Sequence, residues 1–328
     1  MKIIIPGGSG QVGTLLAQAF HKRGDEVVVL SRSSGNGLWR TVRWDGGNLG
    51  DWVSEVDGAD VVINLAGRSV NCRYTAENRH AIIDSRVKST RVLGQAIGEA
   101  NQPPPLWLQA STATFYAHRY DAPNDEATGI IGGLEANVPD TWKFSIDVVS
   151  KWERELNAAA TPQTRKVLMR SAIVMSPSAG GPFDMLLRLV RLGLGGRAGD
   201  GRQYVSWIHD EDFVSAVAWL IEHKELVGPV NLAAPNPLPN SEFMRDLRAA
   251  WGISVGLPSM EWMLELGALA LRSETELILK SRRVVPTRLV DSGFSFQFSD
   301  WAGAARDLCE RWRDENQTNR KAFNSSAA

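Results

Sequence analysis

The stretch that most constrains the fold is "KIIIPGGSGQVGTLLAQAFHKRG", residues 2–24. An apolar run of strand length meets a glycine cluster, and beyond it apolar residues recur at helical spacing until Gly24. That order is strand, tight turn, helix. Gly7, Gly10 and Gly13 place G-x-x-G-x-x-G in the turn, where glycines let the backbone close on a pyrophosphate that rests at the positive end of the helix. A glycine pattern alone is weak, but this one has the strand before it and the helix after it that the chemistry requires. Gly7, Gly8, Ser9, Gly10, Gln11, Val12 and Gly13 are therefore the expected phosphate cradle. A merely structural glycine turn is the plainer alternative.

"EVVVLSR", "DVVINLAG", "LWLQAST" and "KVLMRSAIVM" read as further buried strands, with a long helical stretch, "TAENRHAIIDSRVKSTRVLGQAIGEA", between the second and third of them. Strands alternating with helices predict the α/β class, a Rossmann-type doubly wound parallel sheet. The pattern then loosens into the glycine-rich "SPSAGGPFDMLLRLVRLGLGGRAGDGRQ", and from about residue 255 onward the chain reads as mainly helical. Since 328 residues exceed the usual single-domain range, we expect two parts. Residues 1–170, with 205–233 returning to them, form the dinucleotide domain, and 171–204 with 234–315 form a small substrate or cap region. The polar residues 316–328 read as a disordered tail.

An NAD-binding chain normally carries an Asp or Glu about 20 residues past the glycine turn, where it accepts hydrogen bonds from the ribose 2′-hydroxyl. This chain has Ser31-Arg32-Ser33 there. A carboxylate repels a 2′-phosphate, whereas a guanidinium grips it with two hydrogen bonds, so Ser31 and Arg32 point to NADP(H) as the cofactor. A solvated surface arginine is the alternative for Arg32.

With 43% hydrophobic and 22% charged residues and a formal charge of −1, nothing in the bulk composition favours nucleic acid or an anionic membrane. No signal-like leader and no run of about 18 apolar residues is seen. We therefore expect a cytoplasmic protein, monomer or homodimer, whose partner is a small-molecule substrate, with no nucleic acid and no membrane. Cys72 and Cys309 lie far apart without companion ligands, which argues for incidental thiols and no metal site.

Three further pieces, "NLAG" (64–67), "STATFY" (111–116) and "SWIHDED" (206–212), join the glycine turn in a pattern that resembles the extended short-chain dehydrogenase/reductases. More narrowly, "DSRVKSTRVL", "RLGLGG", "GDGRQYVSWIHDED", "GPVNLAAPNPLPNSEF" and "VVPTRLVDSGFSF" resemble the epimerase-like subfamily of atypical extended members, whose C-terminal helical segment is a hallmark. The resemblance implies an NADP(H) domain with a small C-terminal domain over a cleft, and makes Leu65, Ala66 and Gly67 contacts for the adenosine and its ribose. It also sets Arg86 where most extended members carry an asparagine. There a cation reaches the cofactor phosphates or a substrate anion, or simply faces solvent.

The same resemblance raises a difficulty. Extended members use a Ser or Thr after the fifth strand together with Tyr-x-x-x-Lys on the next helix. Thr112, with Ser111 as its neighbour and alternative, matches the hydroxyl, but "DTWKFSIDVVSKWERELN" contains no tyrosine. Aligning on Glu153 puts Ser145 and Val149 at the tyrosine and lysine positions; aligning on Ser150-Lys151 puts Asp147 at the tyrosine. Tyr116 and His209 are then the substitute acids, with a packed core tyrosine and a structural histidine as the alternatives. Arg202 and Gln203 in "GDGRQ" are candidates for holding a polar substrate, unless that loop is simply a lid. Two readings stand: an NADP(H)-dependent oxidoreductase or epimerase acting on a small polar or sugar-like substrate, or a non-catalytic NADP(H)-binding protein with a regulatory or redox-sensing role.

Overall fold

The computed structural model describes residues 1–33, 35, 37–260 and 274–326. Its first half runs β1 (Lys2–Pro6), α1 (Gln11–Arg23), β2 (Glu26–Ser31), β3 (Arg40–Arg43), α2 (Val53–Val56), β4 (Val61–Asn64), α3 (Ala76–Glu99), β5 (Leu106–Thr112), a 3-10 turn (Ala113–Phe115) and α4 (Asp140–Ala158). Then follow β6 (Arg165–Ser171), β7 (Ile173–Met175), α5 (Pro182–Arg191), β8 (Tyr204–Val205), β9 (Trp207–His209), α6 (Asp210–Glu222), β10 (Gly228–Leu232), β11 (Leu238–Pro239) and α7 (Asn240–Trp251). Beyond residue 273 come α8 (Glu276–Leu279), α9 (Thr287–Asp291) and α10 (Trp301–Ser326).

Seven strands form one parallel sheet in the order β3-β2-β1-β4-β5-β6-β10. The strands are near-continuous apolar runs because both faces are covered. Ile3, Ile5, Val29, Ile63 and Leu108 pack under α1 and α6 with Leu16, Phe213 and Leu220, while Ile4, Val28, Val62 and Trp107 pack under α3 and α4 with Leu93, Ile97 and Leu156. Strand order reverses between β1 and β4, and in such sheets the crevice at the carboxyl ends of the strands beside that reversal is where ligands sit. The glycine turn, Leu65–Gly67 and Ser111–Thr112 all lie at carboxyl ends of its strands.

A further core joins residues far apart in sequence: Met175, Phe183, Leu187, Trp207, Phe243 and Trp301 meet where α5, α7 and α10 pack, with Phe243 stacked on Trp301 at 3.9 Å. The run "KVLMRSAIVM", read above as one strand, divides at Ala172, because β7 leaves the large sheet to pair with β9. Residues 316–326 are helical, not the disordered tail expected from the sequence: α10 meets no glycine or proline after Gly303 and continues to Ser326. From residue 255 onward most of the described residues are helical, in α8, α9 and α10, with residues 280–286 and 292–300 between the helices; residues 261–273 lie outside the described residues. No helix among the described residues is long and apolar enough to cross a membrane.

Candidate functional site

The glycines of the turn divide by what a side chain would strike. Gly7 has φ +76°, and a Cβ on it would stand 2.7 Å from the Ala66 backbone; one on Gly13 would overlap the backbone of Gly8. These two glycines let the turn pack on itself and on the 65–67 loop. Gly10 is different: it is the N-cap of α1, no side chain caps the helix there, and the nearest atom to an added Cβ is 3.7 Å away. Open space in front of uncapped helix N–H groups fits a pyrophosphate. The turn is anchored on both sides, Gly7 N donating to Leu30 O at 2.9 Å and Leu65 N to Pro6 O at 2.8 Å. The buried Asn64 accepts from Ala66 N at 3.1 Å and donates to Gln109 Oε1 at 3.0 Å, which sets the path of the 65–67 loop.

Ser31 Oγ bonds Ser9 Oγ at 3.1 Å, tying the end of β2 to the turn. Arg32 follows it, exposed, and forms no hydrogen bond or ion pair with the described residues. Val12 turns into the core beneath the sheet, so of the turn residues it has only its backbone to offer a ligand. Gln11 lies against Gly181 at the start of α5, which brings that loop over the N-terminus of α1. Arg86 braces the same crevice from α3: its Nη1 donates to Arg68 O at 3.0 Å and Ile82 O at 3.1 Å, and its guanidinium lies 5.0 Å from the Trp152 ring. It packs so closely on Gly67 that a Cβ there would be 3.1 Å from Cζ, and burial pushes its pKa down to about 10.

The register of α4 follows from its buried face. Glu153 takes two hydrogen bonds from Arg170, at 2.9 and 2.8 Å, and one from Ser111 Oγ at 2.6 Å. Val149 is buried one turn earlier, and Ser145 one turn before that, on the same face. Lys151 lies on the outer face, paired with Asp147 at 2.7 Å. This is the Glu153 alignment, and it leaves no lysine directed at the crevice from this helix.

Several sequence candidates prove to be structural. Tyr116 is 2% exposed; its hydroxyl donates to Asn231 Oδ1 at 2.9 Å and accepts from Arg170 Nη1 at 3.0 Å, and burial raises its pKa. It is a packed core tyrosine, not an acid facing the cleft. His209 is fully buried: Nδ1 caps α6 by accepting from Glu211 N at 3.2 Å, Nε2 meets Asp307 at 3.0 Å, and the ring stacks on Phe298. A helix start needs an acceptor at that position, and the imidazole supplies it. Gln203 is 2% exposed, its amide spent on Ala198 O and Ile278 O, so it does not reach a substrate. Arg202 is exposed, with its guanidinium over the Tyr120 ring. Ser111 is locked to Glu153, whereas Thr112 is half-buried at the end of β5, its Oγ1 accepting from Thr114 N at 3.2 Å.

Sequence reasoning missed a polar cluster beside Ser145. Ser145 Oγ donates to Glu276 Oε2 at 2.5 Å, and the Tyr74 phenol lies near enough for both to bear on its ionisation. Tyr74 comes from the loop before α3, its ring edge-on to Phe144 at 4.8 Å and its N–H held by Glu274 Oε1 at 2.7 Å. Glu276, Lys280 and Arg282 are all buried; Lys280 donates to Thr114 O at 2.8 Å and Arg282 to Thr114 Oγ1 at 3.1 Å. Burial pushes the Tyr74 phenol up to about 12, raises the Glu276 carboxyl and pushes the Lys280 amine down to about 8. One signal was available, the i, i+4 pair Glu276 and Lys280 in "ETELILKSRR", but its partners lie about 130 and 200 residues upstream.

Residues 3–233 match the NAD dependent epimerase/dehydratase family, and residues 261–308 match a domain of unknown function, DUF1731. The chain is similar to the human epimerase family protein SDR39U1, with 31% identity over 94% of this chain and 99% of that protein. It is similar too to an epimerase family protein of Staphylococcus epidermidis, with 30% identity over 94% of this chain and 98% of that one. Among solved structures, human SDR39U1 (isoform 2) with NADPH superposes with a TM-score of 0.81 at 28% identity, covering 94% of this chain and 99% of that one.

Proposed function

The chain belongs to the NAD dependent epimerase/dehydratase family, and from that premise we propose that it binds NADP(H) and acts as an oxidoreductase or epimerase on a small polar or sugar-like substrate. The observation that carries the cofactor choice is Arg32, exposed and unpaired among the described residues, one residue beyond the Ser31–Ser9 bond. Its position after β2 is where the chain meets an adenosine ribose in sheets of this order, and a planar cation there suits a 2′-phosphate. The human relative of 28% identity solved with NADPH supports the same reading.

In this reading the pyrophosphate rests before Gly10 and the uncapped start of α1, Leu65–Gly67 lines the adenosine side, and Arg86 holds that loop in place. When bound, the cofactor supplies or accepts hydride at its nicotinamide. Thr112, at the carboxyl end of β5, keeps its hydroxyl hydrogen for a substrate oxygen, since among the described residues its Oγ1 only accepts a bond from Thr114 N. The test is a fluorescence titration of the protein with NADPH and NADH. NADPH should bind tighter by roughly 10- to 150-fold, the usual worth of a charge-assisted contact, and Arg32→Ala should erase most of the difference. Equal affinities in the unaltered protein would sink the assignment.

A further inference from the structure

The residues that follow α8 are strapped to the turn and loop that follow β5. Lys280 Nζ donates to Thr114 O at 2.8 Å, Arg282 Nε to Thr114 Oγ1 at 3.1 Å, and Ser281 Oγ to Arg119 O at 3.1 Å. Thr114 N in turn holds Thr112 Oγ1, so the strap braces the end of β5. One of its bonds can be undone by a proton. Ser281 N donates to Nδ1 of the half-buried His118 at 2.8 Å; an imidazole nitrogen accepts only while it is unprotonated, so the ring's one N–H is on Nε2. The ring lies against Trp142 at 4.9 Å and Tyr120 at 5.1 Å, which fixes its place beside Ser281.

We propose that His118 is a proton-operated latch, which holds residues 280–283 on the turn after β5 while it is neutral and releases them when it is protonated. A proton on Nδ1 sets its hydrogen against the N–H of Ser281. Ser281 is fully buried, so that N–H has no water to turn to, and a buried donor left without an acceptor costs its desolvation penalty. Turning the ring over restores nothing, because both nitrogens of an imidazolium are donors. Opening the strap relieves the conflict.

Charged groups face the imidazole from every side. Glu135, in the loop before α4, accepts from His118 N at 2.7 Å and, with Asp200 from the loop before β8, favours the imidazolium; Lys280 and Arg282, on the strap itself, oppose it. On the loop of His118, Arg119 is paired with Asp121. Burial is the largest influence and sides with the two cations, so His118 is held below the ordinary histidine range. The closed strap thus rejects a proton that the open one accepts. Closure is complete above about pH 6.5, where free histidine titrates, and is lost as the pH falls from there toward the lowered pKa of the closed form.

The test is hydrogen exchange at the Ser281 amide in the full chain, corrected for the intrinsic pH dependence of exchange and read against the buried amides of Ile3, Ile4 and Ile5 in β1. Between about pH 7.5 and about pH 5, protection of Ser281 should fall by about tenfold while β1 holds, the equilibrium worth of one buried donor left unpaired. His118→Asn offers an amide oxygen near the place of Nδ1 and cannot take a proton, so its Ser281 amide should stay protected throughout. His118→Phe keeps a ring beside Trp142 without the acceptor, and should be open at both ends of the range. If protection in the unaltered chain does not fall, or falls as far in His118→Asn, the proton acts elsewhere and the latch is overturned. Full protection in His118→Phe would overturn it too, and should that variant fail to fold, His118→Asn decides alone. The measurement uses neither nucleotide nor substrate, so its failure leaves the cofactor reading standing.

Discussion

Around the glycine turn the structure is made of backbone. Gly7, Gly8 and Gly13 pack on one another and on the 65–67 loop, and carbonyls and N–H groups do the anchoring. Around Ser145 it is made of side chains, with a phenol, a hydroxyl, a carboxyl, an amine and a guanidinium gathered from residues 74 to 282. A site made of backbone demands particular residues, usually glycine, at fixed spacing, whereas one made of side chains can be assembled from any elements that converge. The first tolerates no change at its few positions. The second can change one member and keep the rest.

The sharpest way to break the comparison is at Gly10. Its φ of −78° and ψ of 172° suit valine, and the nearest atom to an added Cβ is Gly7 O at 3.7 Å. Gly10→Val should leave thermal unfolding nearly unchanged and weaken NADPH by more than about 100-fold, because the clash lies with the ligand. Gly13→Ala should do the opposite first, lowering stability by about 1–3 kcal/mol through its overlap with Gly8. Retained NADPH binding in Gly10→Val would make the turn structural only.

The contrast also explains what could be read from the chain. Glycine spacing, strand runs and the Ser31-Arg32 pair are local, so the first βαβ unit and its ligand class were visible in residues 2–32. Even there β3, four residues without a clear alternation, was not named. Tyr116 and His209 were singled out for their chemistry and their place after strands, but the chain uses them for packing and capping. Local sequence does not reveal that Arg170, on the neighbouring strand, would meet the Tyr116 hydroxyl, or that Phe298 would cover His209. The cluster around Ser145 was missed for the reverse reason, since its partners are tertiary.

Tyr116→Phe tests that correction at intermediate size. Losing a hydroxyl that joins Asn231 and Arg170 in the core leaves two buried polar groups short of a partner, at a cost of about 1–3 kcal/mol. Urea unfolding should show that loss while NADPH affinity stays where it was. Unchanged stability, with turnover slowed once a substrate is found, would return the phenol to the chemistry.

The smallest expected effect is at Lys151, and it is informative because a surviving Tyr-x-x-x-Lys lysine would make it large. Positions two apart on a helix point about 200° around its axis, so Lys151 cannot share the face of Val149, which is buried beneath the end of β5. Its ammonium instead pairs with Asp147 at 2.7 Å, both side chains nearly half exposed. An exposed pair four residues apart is worth about 0.3–0.5 kcal/mol, and less as salt rises. Methionine has a helix propensity close to that of lysine, so Lys151→Met should change stability by no more than that. A lysine holding the nicotinamide ribose would instead contribute a charge-assisted hydrogen bond, and its loss would cost about 1.5–3 kcal/mol in binding. NADPH titration of Lys151→Met separates the two cases: an unchanged affinity places the lysine in solvent, and a tenfold loss or more would place it in the ribose pocket and overturn the Glu153 register of α4.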